Sequence, residues 1–330
     1  RAELEYSANA ANPASFTLFL GPNSFPLLKD IEKTVSPDEN MHFTKLIHLG
    51  WPIFRWINTL IVIPVFDFLS KYITSYGLII FLLTIFIKII LFPFTYKSYM
   101  SQARMRILAP DIKAINEKYP GKENAMKRQQ ETMALYSRAG ANPMSGCLPM
   151  LLQMPILIAM FNFFPSAIEL RGESFLWAKD LSAPDAIISW TTNIPFISST
   201  FGNHISLFCL LMTVVNIVYM RINMQTQANA DAMPGMKMMN YLMPLMFLFF
   251  FNNYASGLSY YYLLSLLITI IQTYIFRHVV KEETVREIMR KNAKKPKKKS
   301  GFMARLEEAQ RQQQALLREQ EKRKKASGKK

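Results

Sequence analysis

Apolar runs close to 20 residues long recur along this chain, and they constrain its fold more than any other feature. An α-helix rises 1.5 Å per residue, so about 20 apolar residues cross the roughly 30 Å hydrocarbon core of a bilayer. Five such runs stand at about residues 77–96, 143–164, 205–222, 237–253 and 258–277. Half of the 330 residues are hydrophobic, yet the formal net charge is +16, so charge must be gathered between the runs rather than spread through them. A water-soluble fold would have to hide every run in one core. The expected fold class is therefore an all-α polytopic membrane protein with five spans.

The segments between the runs divide the chain further. Residues 1–48 are polar, with a short β-like stretch, FTLFLGPNSF, turning at Gly-Pro-Asn. Residues 49–72 are apolar but interrupted by Arg55, Asn58, Pro64, Asp67 and Lys71, and they carry the interface-seeking Trp51 and Trp56. That pattern predicts an amphipathic helix lying in the membrane interface. Residues 73–280 hold the five-helix core. Within it, residues 98–140 leave the membrane with helical spacing, Met105, Leu108, Ile112, Ile115 and Tyr119 falling on one stripe. Pro120-Gly121 marks a turn there, so a helical hairpin is expected, kinked at Pro110. Residues 281–330 form a highly charged, Gln-rich tail. The first residue is Arg1, and the chain reads as a fragment of a longer one.

Orientation follows from basic residues near the span ends, which accumulate on the cytoplasmic side. The hairpin carries Lys97, Arg104, Arg106, Lys113, Lys118, Lys122, Lys127, Arg128 and Arg138, whereas residues 165–203 offer only Arg171 and Lys179. Hairpin and tail are expected in the cytoplasm, with the N-terminal region and the 165–203 loop outside.

Lys88 is the charge inside the first span, LIIFLLTIFIKIILFPF. A charge at lipid depth is costly unless it faces protein or water. Lys88 lies about six residues, roughly 9 Å, from Phe94 at the cytoplasmic end, so its ammonium could snorkel to the interface. Alternatively it lines a wet wall, with Thr84 and Thr95 on the same face. Gln153 in the second run and Ser265, Thr269 and Gln272 in the fifth form further polar stripes. Each alone could simply bond between helices; together with Lys88 they favour a hydrophilic cavity within the bilayer.

Ten of the 20 methionines fall at 144–160 or 233–246, including Met150, Met154, Met160, Met239, Met243 and Met246. Flexible thioethers suit a surface that accepts unrelated apolar partners, or they merely pack neighbouring helices. From Arg277 onward there are 19 basic residues against seven acidic. Lys294, Lys295, Lys297, Lys298 and Lys299 form the densest group, fitted to a polyanion such as ribosomal RNA or anionic phospholipid. The plain alternative is a topology signal without a partner. Cys147 and Cys209 sit in apolar runs and imply packing. No catalytic, nucleotide-binding or metal-ligand pattern occurs, so no covalent chemistry, cofactor or metal is expected.

Three stretches together resemble a known family: KIILFPFTYKS, then ANPMSGCLPMLLQMPILIAMFNFF after a charged hairpin, then SGLSYYYLLSLLITIIQTYIF. Over about residues 50–280 the chain is similar to the YidC/Oxa/Alb membrane insertases, and FTLFLGPNSFPLLKD resembles the end of the periplasmic β-sandwich of Gram-negative members. The resemblance implies a five-transmembrane-helix insertase core with a cytoplasmic hairpin, preceded by the end of a periplasmic β domain, in the bacterial inner membrane. It implies a hydrophilic groove open to cytoplasm and lipid but closed to the periplasm. The family's central groove charge is usually arginine; Lys88 keeps the charge and loses the planar fork. Gln153, Thr269 and Gln272 match polar groove positions, and the Met-rich second and fourth spans match the apolar substrate path. Nascent membrane proteins, the ribosome and the Sec translocon are the implied partners. The competing reading is a small-solute or ion transporter with Lys88 as its binding charge, against which stands the lack of paired internal repeats.

Overall fold

The computed structural model describes residues 19–35, 42–121, 124–139, 148–192, 197–224 and 236–293. Helix α1, Phe25–Val35, starts with Pro26 in its first turn, where a missing N–H costs nothing. The expected β-like stretch lies partly outside the described residues, and no strand occurs among described residues 19–48. The sequence reading overlooked α1, although Leu27, Leu28 and Ile31 have helical spacing.

Helix α2 runs over Pro52–Ser70. Its middle, Asn58–Val62, is a π-turn just ahead of Pro64, whose ring removes one backbone donor. Asn58 is fully buried there, and its side-chain amide donates to Ala159 O at 2.9 Å, fastening α2 to a helix a hundred residues away. Arg55 turns back to donate to Thr44 O at 2.8 Å. Trp51, Ile53, Trp56 and Leu60 stay exposed on the outer face.

Helix α3, Tyr76–Ile107, carries the first apolar run and continues well past its expected end near residue 96. The apolar signal stops there, but residues 97–107 contain nothing that breaks a helix. Pro93 sits inside it, as prolines do in lipid-facing helices whose neighbours compensate. The hairpin follows as α4, Ala109–Lys118, and α5, Ala125–Ala139, with Pro110 in the first turn of α4. The remaining apolar runs form α6, Leu148–Ser166, α7, Leu207–Met224, α8, Met236–Phe251, and α9, Ser256–Val279; α10, Glu282–Ala293, ends the described chain. By length and composition, Pro52–Ser70, Tyr76–Ile107 and Ser256–Val279 are long and apolar enough to cross a membrane, and Leu207–Asn223 and Leu242–Phe251 are shorter apolar stretches.

Helix α9 is central, packing on α7, α3 and α6, while α8 packs on α7 and α2 on α6 and α3. Tyr261, Phe66, Phe164, Phe208, Ile79, Ile80, Leu83 and Met160 fill the core. Around it Ile89, Phe92, Phe94, Leu245, Phe249, Phe250, Ile271 and Ile275 remain exposed, an apolar belt that only lipid or another apolar partner would cover.

Between α6 and α7 the chain folds back over one end of the bundle. Two short strands, β1, Ala186–Ser189, and β2, His204–Ser206, pair antiparallel with a bulge between Ala186 and Ile188. Leu170, Ala178 and Leu181 anchor this loop in the core, and Trp177 packs on Phe208 with ring centroids 4.4 Å apart. Partial burial pushes the Asp180 carboxyl up, but hydrogen bonds from the Ser182 hydroxyl, the Ser182 N–H and the Gly172 N–H, with the Arg171 charge nearby, hold it below its ordinary value.

At the other end, α10 joins the hairpin to the bundle. Val285, almost fully buried, packs with Tyr99, Met100, Ala103 and Phe276, and Met289 touches both this group and the Leu108, Ile112, Tyr136 group of the hairpin. Val285→Asp places a carboxylate among those side chains. It is expected to accelerate amide hydrogen exchange across Glu282–Ala293 by about tenfold or more, with little effect on exchange in α7 and α9. Unchanged exchange would mean that α10 is held by something other than this cluster.

Candidate functional site

The polar groups inside the bundle meet at one place. Helix α3 positions Lys88, α6 positions Gln153, and α9 positions Ser265 and Thr269 one turn apart. Lys88 is only 5% exposed. Its ammonium donates to Thr269 Oγ1 at 2.8 Å and to Gln153 Oε1 at 3.5 Å. Gln153 Nε2 in turn donates to Ser265 Oγ at 3.4 Å. Thr269 passes its own hydroxyl hydrogen to Ser265 O at 2.7 Å, which fixes its oxygen as the acceptor facing Lys88. The lysine is thus held inside the bundle, and snorkelling is not its arrangement here.

Among the described residues no carboxylate lies within ion-pair distance of Lys88, and the ion pair they form is Arg286 with Glu282, on the exposed face of α10. A buried cation whose partners are neutral oxygens keeps most of its attraction for an incoming anion or dipole, because nothing has cancelled its charge. Chemically the site can hold and orient water or a polar segment. Among the described residues no group of three or more His, Cys, Asp or Glu is placed to hold a metal ion.

Two groove candidates stand apart from this cluster. Thr84 is fully buried one turn from Lys88, but its hydroxyl donates to its own helix at Ile80 O, 2.7 Å away, so it offers no free donor. Gln272 follows Thr269 on α9, and its Oε1 is buried without a protein partner. The methionines also separate. Met160 is enclosed in the core and serves packing, whereas Met154 on α6 and Met246 on α8 are exposed and Met243 is half-buried. The side chains of Met150 and Met239, and Lys294, Lys295, Lys297, Lys298 and Lys299, lie outside the described residues. A small crevice is found elsewhere, between α1, α2 and the end of α6, lined among others by Phe25, Phe66, Asp67, Phe163 and Glu169; no groove candidate borders it.

Sequence reasoning missed a second polar centre, under the loop that covers the bundle. Asp185, Ser206 and Asn252 are all buried there. The available signal was Ser206, a residue type favoured at helix N-caps, immediately before an apolar run.

Comparison with known proteins bears on the whole arrangement. A family model described as 60Kd inner membrane protein matches residues 68–283. The chain is 60% identical over 311 residues to the membrane protein insertase YidC of Parabacteroides distasonis, covering 94% of this chain and 49% of that protein. It is 52% identical over 302 residues to the corresponding insertase of Porphyromonas gingivalis, covering 91% and 48%, and 50% identical over 311 residues to that of Bacteroides fragilis, covering 93% and 49%. The chain spans about half the length of the curated relatives it matches. The family match takes in α3 to α9, including every residue of the Lys88 cluster, and this chain belongs to the 60Kd inner membrane protein family, the YidC/Oxa/Alb group.

Proposed function

We propose that this chain is the membrane-embedded core of a bacterial inner-membrane insertase, which inserts nascent membrane proteins and helps them fold. The observation that carries the reading is Lys88: a buried ammonium with no counter-ion among the described residues, held by neutral oxygens from two other helices.

Five helices, α3 and α6 to α9, cross the bilayer, while α2 lies in the interface with Trp51 and Trp56 facing lipid headgroups. The α4–α5 hairpin and the tail are cytoplasmic; the loop between α6 and α7 is periplasmic. Lys88, Gln153, Ser265, Thr269 and Gln272 line a groove open to the cytoplasm and to lipid. The groove brings a cation and water part-way into the bilayer, shortening the apolar barrier that a substrate's polar terminal segment must cross. The substrate's hydrophobic segment then moves along the exposed methionines of α6 and α8 into lipid. Burial of about 20 apolar residues at roughly 25 cal/mol per Å² drives the transfer, and no covalent step is needed. The hairpin receives the substrate, and the basic tail binds ribosomal RNA or anionic lipid.

The test is insertion of a small single-span substrate into liposomes with and without the purified chain, followed by crosslinking from photoreactive groups at Gln153 and Met243. Insertion that depends on the chain, with crosslinks from both positions to the substrate, is the expected result. Solute flux without insertion would instead assign a transporter.

A further inference from the structure

A tight turn after α6 holds an apolar residue where neither packing nor backbone asks for one. Phe175 and Ala178 exchange both backbone hydrogen bonds, Phe175 N–H to Ala178 O at 2.9 Å and Ala178 N–H to Phe175 O at 3.0 Å, which leaves Leu176 and Trp177 as the two central residues. Leu176 has a φ of +54°, a conformation in which glycine is the usual choice and a bulky side chain is an outlier. It is also 68% exposed, and the Trp177 ring beside it is 40% exposed.

The turn is firmly seated. Phe175 lies against the first turn of α3, where a Cβ at Gly77 would collide with its ring, and it meets Tyr260 of α9 with centroids 5.0 Å apart. Trp177 packs on Phe208 in the first turn of α7, and Phe208 meets Tyr260 at 5.2 Å. Trp177 Nε1 donates to Asp185 Oδ2 at 2.7 Å, and the same oxygen accepts from the Phe208 N–H at 2.9 Å. Buried Asp185 therefore caps α7, where the helix dipole favours negative charge, and fixes the indole at the same time. The tip is a knob set where α3, α7 and α9 meet.

What continues from the knob is the apolar belt. Tyr260, Leu264, Leu267 and Ile271 fall at i, i+4, i+7 and i+11 on one stripe of α9, and the last two are exposed. Leu267 is about 10 Å from Tyr260 along the helix axis. Leu78, next to Gly77 on α3, is exposed as well, and so are Ile187 and Ile188, two and three residues beyond Asp185. Lys179, exposed directly after the turn, is placed to reach headgroup phosphates with its long stem along apolar surface.

We propose that the Leu176–Trp177 turn is a lipid anchor, its two side chains entering the border between headgroups and acyl chains in the leaflet at this end of the bundle. An indole suits that border, and with its N–H already given to Asp185 the ring enters apolar surroundings with no unpaired donor. Helix α2 packs on α6 and α3. The turn sits instead over α9 and α7, so the bundle is held at the membrane surface on two sides, and anchors of this kind set its tilt. The proposal rests on α3 and α9 crossing the bilayer, not on what the chain inserts.

The test uses single nitroxide labels in the purified chain, with Cys147→Ser and Cys209→Ala as background, in phosphatidylcholine vesicles. Labels are attached through Leu176→Cys, through Leu267→Cys on the exposed stripe of α9, and through Glu117→Cys on the exposed face of α4. Power saturation compares collisions with oxygen, which concentrates in lipid, and with a water-soluble nickel chelate. Leu176→Cys is expected to give an oxygen-to-nickel ratio at least about threefold above that of Glu117→Cys, since polar reagents are excluded from apolar surroundings. A ratio equal to that of Glu117→Cys, while Leu267→Cys reads as lipid, overturns the anchor and leaves the span standing. A water-like ratio at Leu267→Cys too removes the crossing of α9, and the anchor with it. A label at position 176 shielded from both reagents means that a second copy covers the turn, and overturns the anchor as well. Leu176→Gly separates anchoring from folding. Glycine suits the positive φ, so the thermal midpoint in detergent should not fall. With Trp51→Phe, Trp56→Phe and Trp190→Phe leaving Trp177 as the sole tryptophan, Leu176→Gly is expected to lower its quenching by brominated lipid about twofold or more. Unchanged quenching would mean that Leu176 does not hold the turn in lipid, which overturns the proposal.

Discussion

Replacing Lys88 with methionine is expected to raise the thermal midpoint of the purified chain by a few degrees and to reduce substrate insertion by about tenfold or more. The two effects have opposite signs for one reason. Taking an ammonium out of water costs several kcal/mol, and an approaching counter-charge normally offsets that cost. Here the compensation is a 2.8 Å bond to Thr269 and a 3.5 Å bond to Gln153, both neutral. Hydrogen bonds of a charged group contribute about 1.5–3 kcal/mol, so the folded state carries Lys88 at a net loss. Methionine has a similar length, needs no solvation and fills the space, so stability rises. On the proposed insertase reading, insertion falls because no charge remains at this position to attract the polar end of a substrate into the bilayer. Lys88→Arg is expected to keep insertion, since the charge persists, although the fork is larger than the two acceptors present. Thr269→Val, which removes the shorter bond and keeps the charge, should lower stability and reduce insertion less than Lys88→Met does. The measurement is a thermal melt in detergent beside the liposome insertion assay. Wild-type insertion by Lys88→Met would remove the charge from the mechanism.

The parts of this fold that read directly from sequence are those set by local pattern. The apolar runs were visible because hydropathy is a property of a window. The hairpin was visible because Pro110 and Pro120-Gly121 punctuate a helical stripe, although its first arm, α4, starts at Ala109 and not near residue 98, because α3 continues to Ile107. Boundaries were less legible: the apolar run ends near residue 96, but α3 continues to Ile107 because nothing in residues 97–107 breaks a helix. The polar stripes pointed to Lys88, Gln153, Ser265 and Thr269 as neighbours, since ionisable groups in apolar helices have few places to go. They did not distinguish Thr84, whose hydroxyl is taken by Ile80 O, from Thr269, whose oxygen faces the lysine. Nor did they separate the enclosed Met160 from the exposed Met246. The face of a helix follows from spacing, but what covers that face follows from partners far away in the chain. The Asp185, Ser206 and Asn252 centre was hardest to foresee, because its members are scattered singly over 68 positions with no shared period.

Asn252 and Asn253 make that point measurable. In the sequence they are adjacent asparagines at the end of an apolar run, and nothing in the local pattern tells them apart. The structure separates them. Asn252 is 0% exposed; its Oδ1 accepts from the Ser206 N–H at 2.9 Å, and its Nδ2 donates to Phe201 O at 2.8 Å and His204 O at 2.7 Å. One side chain thus satisfies three backbone groups of the covering loop from the end of α8. Asn253 is exposed, and among the described residues its side chain makes one bond, to Thr200 O at 3.0 Å. Asn252→Ala leaves one donor and two acceptors without partners; at about 1–3 kcal/mol for each buried group, reduced where water reaches the loop, the loss is about 3 kcal/mol. Asn252→Asp should be nearly as damaging despite its shape, because its second oxygen would face two carbonyls. Asn253→Ala, by contrast, is expected to cost less than about 1 kcal/mol. Thermal melts of the three variants in detergent decide the matter. If Asn252→Ala and Asn253→Ala melt together, the loop is held by its apolar anchors, Leu170, Ala178 and Leu181, and the asparagine is incidental. If only the Asn252 variants fall, the polar centre fixes the loop, and the end of α8 is coupled through it to the cap of α7.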